Sequence, residues 1–172
     1  MLSSKLTAIV LKRSNFSESD KIITLFSREK GKIIVVAKGV RKIKSRRAPH
    51  LEPLNEVGLV LHKGKNYEIV SEAKSLNTPH FKLESLTYVL YALEIVDKLL
   101  PELEPHASVY ELLRSLLLND KIDENKIKEF TLKLIWTLGF LPHGEFPKEG
   151  LNNFVESLAE KQIRSKKLID EL

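Results

Sequence analysis

The chain has 172 residues and no cysteine, which excludes disulfides, thiolate nucleophiles, Cys-ligated zinc and iron–sulfur clusters together. An apolar fraction of 42% and a charged fraction of 30% exclude wholesale disorder, and seven Gly with seven Pro exclude collagen-like or low-complexity architecture. The net charge of +5 divides unevenly: residues 1–80 carry 16 Lys and Arg against 7 Asp and Glu, a net of +9, whereas residues 81–172 carry 12 against 16, a net of −4.

The first 75 residues predict strands. Leu6–Leu11, Lys21–Phe26 and Lys32–Ala37 are short and rich in β-branched residues. The polar run from Ser14 to Asp20 reads as a turn between the first two, and Arg28-Glu-Lys-Gly31 as a hairpin between the next two. Leu54–Leu61 and Tyr67–Ala73 form a further pair across His62-Lys-Gly-Lys-Asn66. Five short strands in so few residues suit a small closed barrel, and the OB-fold is the five-stranded barrel that also accounts for a basic face.

From Pro79 the apolar period becomes helical. Leu86, Val89, Leu90, Leu93, Val96 and Leu100 recur at three- and four-residue steps and stop before Pro101. Pro105 fits the first turn of a second helix carrying Val109, Leu112, Leu113, Leu116 and Leu117. A third carries Ile127, Phe130, Thr131, Leu134, Ile135 and Leu138, with Asp123 as N-cap and Gly139 as the residue after its C-cap. A fourth follows with Leu151, Phe154, Val155 and Leu158, and a basic tail helix is expected near residues 162–172. Pattern and charge sign change together near residues 75–80. The expected architecture is α+β: residues 1–77 form an OB-fold nucleic-acid-binding domain and residues 78–172 a helical domain.

No catalytic constellation emerges. His50, His62, His80, His106 and His143 show no metal-ligand spacing, so no metal and no cofactor are expected. Gly58 and Gly64-Lys65 fail as a phosphate loop, because the glycine spacing is wrong and no Ser or Thr follows. Asp20 and Glu18 flank Ser19 in a turn, where local backbone bonding is expected rather than acid–base work. The chain reads as a non-enzyme.

The sharpest feature is Lys38–Arg47, directly after the third strand. Six of its ten residues are basic (Lys38, Arg41, Lys42, Lys44, Arg46 and Arg47) and none is acidic. Crowded cations repel one another unless a polyanion lies among them, and cations that neutralise phosphates release counterions, which supplies sequence-independent affinity. Lys12, Arg13, Lys63 and Lys65 lie at strand ends or hairpins and are expected to extend the same phosphate-binding surface. Phe16 in a polar turn and Tyr67 beside Lys65 are the candidates for base stacking.

These residues resemble the amino-terminal domain of the RecO family of bacterial recombination mediators. The resemblance rests on Glu18-Ser-Asp-Lys-Ile-Ile-Thr-Leu-Phe-Ser27, Glu29-Lys-Gly31, and Ala37-Lys-Gly-Val-Arg41 with Lys44-Ser45. It continues through Tyr91-Ala-Leu-Glu94, Leu99-Leu-Pro-Glu102 and Leu138-Gly-Phe-Leu-Pro142, and the tail Ile163–Leu168 resembles the family's closing helix. The resemblance implies an OB-fold followed by a helical domain. It also implies binding of single- and double-stranded DNA, annealing of complementary strands, and work with RecR and single-stranded-DNA-binding protein to help load RecA. A bacterial cytoplasmic, nucleoid-associated protein without membrane contact is expected. Many members carry a Cys-containing, zinc-finger-like insertion after the segment matching Leu138–Pro142. This chain runs instead through His143-Gly-Glu-Phe-Pro147, and so reads as a compact member without that insertion. The partner's acidic tail, received by family members on the helical domain, has Lys161, Arg164, Lys166 and Lys167 as its candidate contacts here. Two alternatives stay open: a general RNA- or tRNA-binding OB module, and an adaptor that docks proteins through its helices.

Overall fold

The computed structural model describes residues 3–159, in two units. One comprises the chain up to Pro79 together with Pro101–Ala107; the other comprises His80–Leu100 and the chain from Ser108 onward. The first unit thus takes in a segment beyond the 1–77 span expected for the barrel.

The first unit holds β1 (Ser3–Asn15), β2 (Lys21–Ser27), β3 (Gly31–Ala37), β4 (Glu56–Lys63) and β5 (Glu68–Asn77). They close into a barrel in the order β1-β2-β3-β5-β4, with β4 returning to β1. That is the OB-fold order, and the expected fold class holds. All pairings are antiparallel except the short parallel seam of β3 with β5 at Val35–Glu68 and Val36–Ile69.

A single long strand serves two partners. The first half of β1 pairs with β4 from Ser3 to Ile9, and its second half pairs with β2 as far as Asn15 opposite Lys21. A bulge between Val10 and Lys12 bends it, as closure of a small barrel demands. Leu6, Ala8 and Val10 point into the barrel with Ile23, Leu25, Ile33, Val35, Ala37, Val57, Leu59, Leu61 and Val70. Leu51, in a short 3-10 helix at Ala48–Leu51, and Val40 in the loop after β3 join this interior. β4 begins at Glu56 rather than Leu54, because Leu54 adopts φ of 79° and cannot continue a strand.

The second unit holds α1 (Leu83–Leu99), α2 (Ala107–Leu117, whose first residue belongs to the other unit), α3 (Glu124–Thr137) and α4 (Leu151–Ala159). The Asp123 carboxylate accepts from the Lys126 backbone N–H at 2.9 Å, as an N-cap should. At the other end Gly139 has φ of 78°, its N–H donates to the Trp136 carbonyl and Phe140 N–H donates to the Ile135 carbonyl. This is the Schellman arrangement, which satisfies the last carbonyls of the helix. Pro105 precedes α2 by two residues instead of opening it. Buried Ser85 donates to the Ile122 carbonyl at 2.9 Å and accepts from the Ile122 N–H at 3.0 Å, fixing the α2–α3 connection against α1. The expected tail helix and the partner-tail candidates Lys161, Arg164, Lys166 and Lys167 lie outside the described residues.

Candidate nucleic-acid interface

The basic loop after β3 is a built structure. Gly39 takes φ of 68°, and its N–H donates to the Asp20 carboxylate at 2.8 Å. Val40 drops into the barrel interior, and Arg41 N–H donates to the Ser19 carbonyl at 3.0 Å. A turn then closes where Ser45 N–H donates to the Lys42 carbonyl at 2.9 Å. The loop is therefore sewn onto the β1–β2 turn on one side and plugged into the core on the other.

Its cations fall into two groups. The Arg47 guanidinium donates to the Val70 carbonyl on β5 and to the Lys38 carbonyl at 2.6 Å, and Arg41 Nη1 donates to the Ser17 carbonyl at 2.6 Å. Both arginines thus brace the loop. Lys42, Lys44 and Arg46 are exposed, and their side chains make no hydrogen bond or ion pair among the described residues. Lys38 is exposed too, and its charge acts on Asp20. Of the other cations proposed from sequence, Arg13 is paired with Glu52, Lys12 is exposed on β1, and Lys63 and Lys65 stand exposed and unpaired among the described residues at the β4–β5 turn.

The two stacking candidates meet. Phe16 on the β1–β2 turn and Tyr67 on the β4–β5 turn are 52% and 40% exposed, with ring centroids 6.2 Å apart in an edge-to-face arrangement. Phe16 N–H donates to the Asp20 carbonyl at 3.0 Å, so the turn that carries the ring is the one that anchors the basic loop. Gly64 permits the Tyr67 turn: a Cβ there would collide with the Tyr67 carbonyl, to which the Gly64 N–H donates at 3.0 Å. In OB-folds the β1–β2 and β4–β5 loops flank the face that holds oligonucleotides. Here those loops carry the exposed aromatics, and the β3–β4 loop beside them carries the free cations.

Asp20 does more than its local turn suggests. Besides Ser19 Oγ at 3.0 Å, it holds the Gly39 N–H from nineteen positions away. That backbone N–H is the main reason its carboxyl titrates below the ordinary carboxylate range, with desolvation opposing and Ser19, Ser17 and Lys38 assisting. A depressed pKa means the anchor is complete above the ordinary carboxylate range and is lost as pH falls through the lowered value. Asp20→Ala is expected to speed hydrogen exchange of the Gly39 amide severalfold at neutral pH, with Asp20→Asn intermediate because its carbonyl still accepts. Unchanged exchange in Asp20→Ala would show that the carboxylate does not hold the loop.

The helical unit offers an open groove of about 470 Å³ between α2 and α3, lined by Glu111, Leu112, Lys133, Trp136 and His143 among others. Its mixed charges make it no trough for a polyanion. Trp136 is fixed there by donating to the Glu145 carbonyl at 2.8 Å, with the His143 ring 4.9 Å away. The loop after α3, where other members are expected to carry an insertion, is thereby folded back on Trp136. Among the described residues no cluster of three or more His, Asp or Glu is placed to hold a metal, and no helix is long and apolar enough to cross a membrane.

Comparison with known proteins places both units in one family. The profile described as Recombination protein O N terminal matches residues 1–79, and that described as Recombination protein O C terminal matches residues 80–145. The DNA repair protein RecO of Pelotomaculum thermopropionicum is 37% identical over 143 residues, covering 80% of this chain and 56% of that protein. That of Acetivibrio thermocellus is 34% identical over 145 residues, covering 80% and 58%. That of Symbiobacterium thermophilum is 34% identical over 141 residues, covering 78% and 56%. The chain spans a little over half the length of these curated relatives.

Proposed function

We propose that this chain, which belongs to the RecO family of recombination proteins, binds single- and double-stranded DNA through its barrel and anneals complementary strands in DNA repair. The observation that carries the reading is the convergence of three loops: Phe16 against Tyr67, the β1–β2 turn bonded to the basic loop, and Lys42, Lys44 and Arg46 free beyond it. Aromatic faces accept any base, and cations accept any phosphate, so the site suits sequence-independent binding.

Annealing needs no bond-making group in this scheme. Two strands repel through their phosphates; a surface that neutralises phosphate charge on both lets base pairing supply the driving force. The relatives' name as DNA repair proteins supports placing this activity in DNA repair, and on the same reading it takes place in the bacterial cytoplasm at the nucleoid. On this reading the protein acts beside RecR and single-stranded-DNA-binding protein and assists RecA loading at gaps.

The test is annealing of complementary oligonucleotides coated with single-stranded-DNA-binding protein, with matched RNA as competitor at fixed salt. Faster annealing than in the absence of the protein, and competition by DNA at least as strong as by RNA, is expected. Tight binding confined to RNA would make the barrel an RNA module. Protein partners bound by the helices without any nucleic-acid affinity would make the chain an adaptor.

A further inference from the structure

The tip of the basic loop carries an apolar side chain with no contact to cover it. Ile43 is fully exposed, at the first central position of the turn closed by Ser45 N–H on the Lys42 carbonyl. Turn tips favour Gly, Pro, Asn, Asp and Ser, which have local reasons to be there; isoleucine has none. A single exposed aliphatic residue is ordinary on a protein surface. This one differs in its setting. Lys42 and Lys44 flank it and Arg46 follows, all three exposed and unpaired among the described residues. The turn is held stiff behind it, by Val40 in the barrel interior, by Gly39 on Asp20 and by Arg47 across the Lys38 and Val70 carbonyls.

We infer that Ile43 is a wedge that enters a base step of duplex DNA from the minor groove, while Lys42 and Lys44 hold the phosphates on either side. The inference rests on the DNA-binding reading above and deepens it. Minor-groove proteins insert Phe, Leu, Ile, Met or Pro between base pairs, partly unstacking them, and the groove's width of about 6 Å admits side chains at a turn tip. A wedge must be presented on a braced element, or the loop would yield before the base stack does. It must also be apolar, because it trades water for the faces of bases. The basic loop supplies both conditions, and a protein that brings strands into register gains from loosening a stacked step at the contact.

The experiment uses the full chain and a short duplex carrying 2-aminopurine at a central position, whose fluorescence rises when its step unstacks. Saturating wild-type protein is expected to raise the fluorescence at least twofold. Ile43→Ala should abolish the rise and weaken duplex affinity by roughly three- to tenfold, the loss of part of one buried apolar side chain. Its salt dependence should be unchanged, because no charge is removed. Ile43→Leu should restore the rise, which a general loss of loop structure would not allow. An equal rise with Ile43→Ala, or no rise with wild type despite saturated binding, overturns the wedge and leaves the DNA-binding reading standing. No binding by wild type to either strand form overturns both.

Discussion

Replacing Lys42, Lys44 and Arg46 together by Ala is expected to lower duplex affinity by roughly 500-fold at 0.1 M salt. The slope is about −0.9 in log affinity against log salt for each phosphate neutralised, so three contacts make it shallower by about 2.7; carried from 1 M salt, where the counterion contribution vanishes, down to 0.1 M, that difference is roughly 500-fold. The fold should be untouched, because the three side chains are exposed and hold no other described residue. Arg47→Ala makes the informative contrast. Its guanidinium is engaged with the Val70 and Lys38 carbonyls, so its loss should weaken binding through a slackened loop while changing the slope by well under one. A triple control on α3, Lys126, Lys128 and Lys133 to Ala, should do little. Lys128 and Lys133 are paired with Glu124 and Glu129 one turn away, and Lys126 donates to Asn119 at 2.7 Å. DNA titrations at several salt concentrations, with circular dichroism on each variant, decide the matter. Equal losses from the α3 set would mean that diffuse charge drives binding and that the loop has no special part.

The largest stability effect is expected at Gly31, the first residue of β3, directly after the β2–β3 turn. Its backbone sits at φ of 72°, which costs an L-residue roughly 1–2 kcal/mol. A Cβ there would also collide with the Glu104 carbonyl. The Pro101–Ala107 segment cannot easily retreat, since Leu103 N–H donates to the Lys32 carbonyl at 2.9 Å and Glu102 bridges to Lys32. Losing that hydrogen bond adds about 1 kcal/mol. Gly31→Ala should therefore destabilise the barrel by about 3 kcal/mol, with Tm lowered by roughly 6–12 °C in a chain of this size. Gly150→Ala is the control: it shares the positive φ, but nothing lies near its absent Cβ, so it should lose only the backbone component. Equal Tm losses from the two substitutions would show that the contact with Glu104 contributes nothing.

The contrast between Arg46 and Arg47 shows what kind of information each level of description holds. Both are arginines in one basic run, and nothing within several residues distinguishes them. One is free and the other braces the loop, because β5 brings the Val70 carbonyl within reach of the second alone. Asp20 repeats the lesson: its local bonds to Ser17 and Ser19 follow from turn chemistry, whereas its hold on Gly39 needs the β2–β3 hairpin to place Ala37 opposite Lys21. Nothing in the sequence sets Ile43 apart from the cations around it, since its complete exposure is a property of the folded loop. Phe16 stands out in the sequence as an aromatic in a polar turn and Tyr67 as one opening a strand beside Lys65, but their meeting depends on barrel closure.

Local signals carried the elements themselves. Runs of β-branched residues mark β2, β3 and β4 to within about two residues, and the Asp123 cap and the Gly139 terminus of α3 are legible because each acts on atoms within a few positions, whereas β5 runs four residues past Ala73 to Asn77. β1 runs on to Asn15, four residues past the apolar stretch, because hydrogen bonding to β2 can extend a strand through polar residues that carry no hydrophobic alternation. The basic stretch itself was plain from composition, as was the sign change between the two halves of the chain. Which of its charges remain available to a ligand was settled only in three dimensions. A cation's freedom depends on the carbonyls and carboxylates that distant segments bring beside it, and those neighbours exist only once the barrel has closed.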